Sequence, residues 1–238
     1  MSYTVTLIKK ELVAKDTMAF YFSKPDGFTY KAGQYADYTL INPPETDAEG
    51  NKRTFSFASA PYEDSLMITT RLRDTAFKRT LQALKEGSPV QLDGPFGSFA
   101  LPQNPTTPAV LIAGGIGCTF ARSMLLQAVH DKAPNPITLF SSNYTKEDAP
   151  FFDLFTNLAA RHENITFIPT MTNDAHPSWT GEREPISMSL IAKYLEDPTV
   201  PTYYLSGTGE MVNAMRTMLL DAGVNRFNIR IDNFVGYS

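Results

Sequence analysis

Residues 109–119 read AVLIAGGIGCT. The apolar run does not alternate, and it stops at a pair of glycines. A strand with one wet face would alternate, so an unbroken run marks a strand covered on both sides, as in a parallel sheet. Glycines directly after such a strand let the backbone turn sharply and approach a ligand closely. The next segment, FARSMLLQAVHDK, has helical periodicity, and the free N–H groups at its start would suit a pyrophosphate. Gly114, Gly115, Gly117 and Thr119 are therefore candidate nucleotide-binding residues. Their spacing, Gly-Gly-x-Gly-x-Thr, differs from the Gly-x-Gly-x-x-Gly dinucleotide fingerprint. A tight strand–helix turn without a ligand has the same pattern.

This run divides the chain of 238 residues. Before it, YTVTLIKKELVA and MAFYFSKP alternate with period two. GQYADYTLI, RTFSFAS, LMITTRLR and PVQLDGPFG are further short strands, separated by Pro- and Gly-rich turns. One helix interrupts them, TAFKRTLQALKEG, with Phe77, Leu81 and Leu84 on one face, Thr75 as N-cap and Gly87 as the stop. This pattern predicts a six-stranded antiparallel β-barrel of Greek-key type. After LPQNPTTP (101–108), strands and helices alternate: ITLFSS, PFFDLFTNLAARH, ITFIPTMT, ISMSLIAKYLED, TYYLSG, EMVNAMRTMLLDAG and FNIRIDNF. That alternation predicts an α/β domain with a parallel sheet. The expected domains are residues 1–103 and 106–238.

Composition narrows the function. A net charge of −4 argues against a general nucleic-acid binder. No apolar run is long enough to span a bilayer, and the N-terminus lacks a signal-like core. A single cysteine, Cys118, allows neither an internal disulfide nor a cysteine-ligated cluster within the chain. The histidines, His130, His162 and His176, lack metal-ligand spacing, so no metal site is expected. A cytoplasmic location fits this set.

Two more segments carry polar groups in suggestive places. RTFSFAS (53–59) puts Phe55 and Phe57 on one strand face and Thr54, Ser56 and Ala58 on the other. It reads equally well as an amphipathic core strand. LSGTGEMV (205–212) puts Ser206 and Gly207 at the carboxyl end of a strand, where open α/β folds bind ligands. Ser206 or Thr208 could instead cap the following helix.

In this order and spacing, RTFSFAS, RDTAFKRTLQALKEG, LDGPFG, LIAGGIGCT, LSGTGEMV and NIRIDNFVGY resemble the ferredoxin–NADP reductase family along nearly the whole chain. The resemblance implies a barrel holding FAD and an α/β domain binding NADH or NADPH. Hydride would pass from nicotinamide to flavin N5, then electrons to a one-electron acceptor such as ferredoxin or an iron–sulfur or haem partner. It implies Arg53 on the FAD pyrophosphate, Phe55 on the isoalloxazine and Ser56 near N5. Thr54, Thr70, Arg71, Leu72, Ala76, Phe77 and Lys78 would complete the FAD site. Gly114, Gly115, Gly117, Thr119, Ser142, Asn143, Gly207 and Met211 would hold the dinucleotide. Ser56, Ser206 and Asp232 would lie at the reacting atoms, with Phe234 and Tyr237 covering the flavin. The chain departs from the common pattern at Phe55 (often Tyr), Ser206 (often Cys), Asp232 (often Glu) and Phe120 (often Pro). Tyr144 stands where relatives selective for a 2′-phosphate carry arginine, which favours NADH, although Lys146 is close in sequence. Two other roles share these motifs: an electron-transfer subunit of a larger oxidoreductase, and a nucleotide-sensing module without turnover.

Overall fold

The computed structural model describes residues 2–173 and 179–231. The first half is an antiparallel six-stranded sheet of β1 (Ser2–Ala14), β2 (Thr17–Ser23), β3 (Tyr35–Leu40), β4 (Lys52–Ser56), β5 (Ser65–Arg71) and β6 (Pro89–Phe96). Its strand order is β4-β3-β6-β1-β2-β5, a Greek-key arrangement in which the last strand inserts between the first and third. A register shift between Leu7 and Lys9 bends β1, so that its first half pairs with β6 and its second with β2. Just past β4, the Ala58 N–H bonds Met67 O on β5 at 2.7 Å and draws the two edges together. The interior is packed with Val5, Leu7, Phe20, Phe22, Tyr38, Leu40, Phe55 and Phe57.

Helix α1 (Ala76–Ala83) plugs this barrel with Phe77 and Leu81. Thr75 caps it as the sequence predicts, accepting from the Lys78 N–H at 3.3 Å. The helix ends at Ala83, short of the expected stop at Gly87. The side chain of Lys10 on β1 takes up the carbonyls of Gln82 and Leu84, so tertiary bonds satisfy the groups the helix end leaves free.

The second half is a parallel sheet of β7 (Ala109–Gly114), β8 (Ile137–Asn143), β9 (Ile165–Met171), β10 (Thr202–Ser206) and β11 (Ile229–Ile231). Its order is β11-β10-β7-β8-β9. Helices α2 (Thr119–His130), α3 (Phe152–Arg161), α4 (Met188–Tyr194) and α5 (Gly209–Asp221) connect the strands. Every residue from Ala109 to Ala113 is 0% exposed, which is why AVLIA carries no polar alternation. No described helix is long and apolar enough to cross a membrane.

The two halves are bolted together where the segment after β4 meets α2. Arg122 forks onto Glu63, with Nη1 to Oε2 at 2.8 Å and Nη2 to Oε1 at 3.0 Å. Its Nη1 also donates to Ala58 O at 2.6 Å, and the Ser123 hydroxyl donates to Ser59 O at 2.6 Å. Phe99 wedges between Phe120 and Tyr204. The Arg122 and Glu63 side chains are only 12% and 26% exposed, so neither is readily rehydrated in place. Arg122→Ala should lower the unfolding free energy by about 2 kcal/mol, in the range for hydrogen bonds to charged groups. A urea titration reads this directly, and an unchanged midpoint would show that the fork holds nothing.

Candidate functional site

The carboxyl ends of β7 and β10 face the outer wall of the barrel. In the second sheet the chain winds one way from β7 to β8 and β9 and the other way to β10 and β11, so a crevice opens between β7 and β10. A cavity of about 330 Å³ lies there, between the two halves. The barrel supplies Thr54, Phe55 and Ser56 from β4, Thr69 and Arg71 from β5, and Arg73 beyond it. The α/β half supplies Gly114, Gly115, Ile116, Gly117 and Thr119 after β7, and Gly207, Thr208 and Met211 after β10. Ser142, Asn143 and Tyr144 close it at the end of β8, with Thr172 after β9.

The glycine turn is shaped by what presses on it. Gly115–Cys118 form a 3-10 turn that runs directly into α2. Gly115 has φ +51°, and a Cβ there would come 3.0 Å from Arg71 Nη2, so the guanidinium from the barrel rests against this turn. A Cβ on Gly117 would come 2.5 Å from Ser206 O, so the turn abuts the end of β10. At Gly114 the space is filled by the Met211 sulfur. Among the described residues Arg71 makes no ion pair. It therefore places an uncompensated cation beside a helix N-terminus that already carries positive potential. That combination calls for an anion.

Buried polar atoms point the same way. The hydroxyls of Ser56 and Thr69 and Oδ1 of Asn143 lie on cavity-lining residues, are buried, and have no hydrogen-bond partner among the described residues. The Ser206 hydroxyl, buried behind Gly117, is likewise unpartnered. Leaving such groups unpaired is costly, and a ligand with complementary hydrogen-bonding groups relieves the cost. Thr54 is differently engaged, donating to Asp37 at 2.5 Å. Asn143 Nδ2 donates to Ser141 Oγ at 3.2 Å, which turns its carbonyl oxygen the other way.

The other expected residues lie behind or beside this wall. Phe77 packs behind Phe55, with ring centroids 5.9 Å apart. Thr70 is fully buried on the strand face opposite Thr69 and Arg71. Leu72 is tied by its N–H to Asp16 O, and Ala76 and Lys78 form the first turn of α1. Burial, with Arg73 and Arg53 nearby, pushes the Lys78 ammonium down to about 8. Arg53 is turned toward its own loop rather than the cavity. At LSGTGEMV the two capping candidates separate: Thr208 caps α5, accepting from the Met211 N–H at 3.3 Å, while Ser206 stays free. Asp232, Phe234 and Tyr237 lie outside the described residues. Thr69, Ile116, Thr172 and Thr208 line the cavity although sequence reasoning did not assign them there. For Thr69 the period-two alternation with Arg71 was the available signal. Cys118 is fully buried, and burial pushes its thiol up to about 12, so it is an inert packing group.

The sequence profile of the oxidoreductase NAD-binding domain matches residues 111–217. Ferredoxin–NADP reductase B of Sorangium cellulosum is 27% identical over 224 residues, covering 90% of this chain and 89% of its own. The phenol 2-monooxygenase reductase component of Pseudomonas sp. strain CF600 is 29% identical over 212 residues, 86% of this chain. This match spans 58% of that relative's length. A ferredoxin NADP⁺ reductase from Neisseria gonorrhoeae, solved with FAD and NADP, superposes with a TM-score of 0.80 at 23% identity, covering 98% of each chain. The second half of the chain thus carries an oxidoreductase NAD-binding domain, and nearly the whole chain is similar to ferredoxin–NADP reductases. The residues matched by that profile include the Gly114–Gly117 turn and Gly207–Met211, which face the TFS segment of the barrel across the cavity.

Gly117→Ala should destabilise the protein by about 1–3 kcal/mol, the usual range for overpacking, because its Cβ meets backbone. Gly114→Ala should cost less, because the Met211 thioether can swing aside. Paired urea titrations compare them, and equal losses would contradict this account of the turn.

Proposed function

We propose that residues 1–103 bind FAD, that residues 106–238 bind a nicotinamide dinucleotide, and that the chain is an NAD(P)H-dependent flavoprotein reductase. The observation that carries this reading is the shared cavity: an aromatic–hydroxyl strand, Thr54–Ser56, faces the Gly114–Gly117 turn across it. Bound there, the two cofactors supply hydride transfer and onward electron delivery. The chain's own groups bind and orient them. Phe55, backed by Phe77, offers a rigid apolar face for a flat ring, and the unpartnered Ser56 hydroxyl stands beside it. Arg71 and the start of α2 converge where a pyrophosphate is best stabilised. On this reading the two cofactors meet in the one crevice, between Thr54–Ser56 and Gly114–Gly117. Electrons would leave to a one-electron acceptor such as ferredoxin or an iron–sulfur or haem protein, the class named among the relatives.

The nicotinamide substrate on this reading is NADH. At the end of β8, Ser142, Asn143 and Thr172 are neutral, and Tyr144 brings no charge. Lys146, the nearby cation in sequence, is drawn to α3, with Asp153 at 3.9 Å and the Phe152 ring at 4.6 Å. A 2′-phosphate would thus meet no committed counter-charge. Protein purified from an expression host should be yellow, and extraction with chromatography should yield FAD rather than FMN. Turnover with a dye acceptor should favour NADH over NADPH by more than about tenfold in kcat/KM, or about 1.4 kcal/mol, and Tyr144→Arg should narrow that ratio. A colourless protein that takes up no FAD would overturn the flavoprotein reading, and an NADPH preference would overturn the substrate assignment. Flavin reduction by NADH without dye turnover would favour a subunit role.

A further inference from the structure

Arg53 does not wall the cavity, yet its guanidinium is engaged on every side. Nη1 donates to the carbonyls of Glu49 at 3.0 Å, Gly50 at 3.1 Å and Lys52 at 2.8 Å. Nη2 pairs with Asp47 Oδ1 at 3.1 Å and Glu49 Oε2 at 2.9 Å. The guanidinium carbon lies 5.1 Å from the centre of the Phe77 ring. Asp47 has a further partner, because its carboxylate also accepts from the backbone N–H of Glu49 at 3.0 Å. Burial pushes the Asp47 carboxyl up, but the bonds from Arg53 and Glu49 prevail and hold it below the ordinary carboxylate range.

Two carboxylates therefore occupy the Nη2 edge of an arginine that lies beside a second donor, the N-terminal turn of α1, over its Phe77 ring. Those two donors together are what recognises a phosphate. The carboxylates come from the loop between β3 and β4 and stand toward solvent, Asp47 at 33% and Glu49 at 63% side-chain exposure. Ion pairs so exposed hold weakly and are readily exchanged. The same loop carries a second acid, Glu45, on a different arginine: it pairs with Arg79 of α1 through Nη2 at 2.5 Å and Nε at 2.9 Å.

We propose that Asp47 and Glu49 act as an internal anion, held by Arg53 beside the start of α1, that gives way to the diphosphate of the flavin cofactor and thereby sets its affinity. The proposal rests on the flavoprotein reading above. In the exchange the Nη1 bonds to three backbone carbonyls persist and keep Arg53 in place. Only the Nη2 side changes partner, and the two carboxylates move into water. The loop acids are thus affinity-determining residues, and Arg53 is a positioning residue for the loop before it is a phosphate ligand.

The test is FAD release on dilution of the purified full-length protein, followed by flavin fluorescence, for the wild type and for D47N/E49Q, D47N and E45Q. Asn and Gln keep the acceptors but remove the charges. D47N/E49Q should lower the FAD Kd at least about fivefold, the lower end of ordinary coupling between two ligands of one site, and D47N alone should lower it less. E45Q removes the same charge from the same loop but releases Arg79, and should leave the Kd unchanged. An unchanged or raised Kd in both D47N and D47N/E49Q, or an equal drop in E45Q, overturns the exchange. If the double variant does not fold, D47N against E45Q decides alone. A wild type that carries no FAD overturns the flavoprotein reading, and the exchange with it.

Discussion

Everything at the cavity depends on how the barrel is held against the α/β half, and that contact is polar. Arg122 reaches from α2 to a carboxylate and a carbonyl of the segment following β4, and Ser123 takes the next carbonyl. Backbone carbonyls accept bonds only along narrow directions. Two neighbouring residues on one helix, gripping Ala58 and Ser59, therefore fix the helix's direction as well as its distance. The strand that leads into this grip ends with Thr54, Phe55 and Ser56. The helix that delivers it begins at the glycine turn. One clamp thus sets the separation of the two walls. A purely apolar contact could slide, and the distance between Ser56 and Gly117 would slide with it.

The glycines make sense within this geometry. Gly117 has no Cβ because Ser206 O is already there, and Gly115 is bare because Arg71 from the barrel lies against it. The first contact joins two strand ends within one sheet, and the second joins the two halves. A pattern that resembles a phosphate loop is also a packing solution, and here the two demands select the same residue. The division of labour after β10 follows the same economy. Thr208 satisfies the start of α5, so the hydroxyl two residues earlier is left without a local partner.

Much of this was legible in the amino-acid sequence because it is local. The unbroken run at 109, the alternation before it and the Thr75 cap all report the environment of a single element. What escaped was set by distant partners. The end of α1 is decided by Lys10, far away in sequence, rather than by Gly87. Thr70 and Thr69 are adjacent and chemically alike. Only the pairing of β5 with β2 decides which of them faces the barrel interior and which the cavity. The acids around Arg53 look like a solvated loop in the sequence, and only the hairpin brings them back onto the guanidinium. Motif order carried the family, but not the side chain that each cation would meet.

That last distinction organises the charges of the whole molecule. The chain is acidic overall, at −4, yet among the described residues the cavity wall carries Arg71 and Arg73 and no carboxylate. Three acids of the β3–β4 loop are held by arginines, Asp47 and Glu49 by Arg53 and Glu45 by Arg79. A cleft lined by one sign of charge between low-dielectric walls concentrates oppositely charged ligands there. Holding Glu45, Asp47 and Glu49 against their own arginines keeps their field from cancelling that attraction. Cation placement therefore does two jobs: it presents positive potential where two anionic dinucleotides could converge, and it neutralises the acids of the β3–β4 loop.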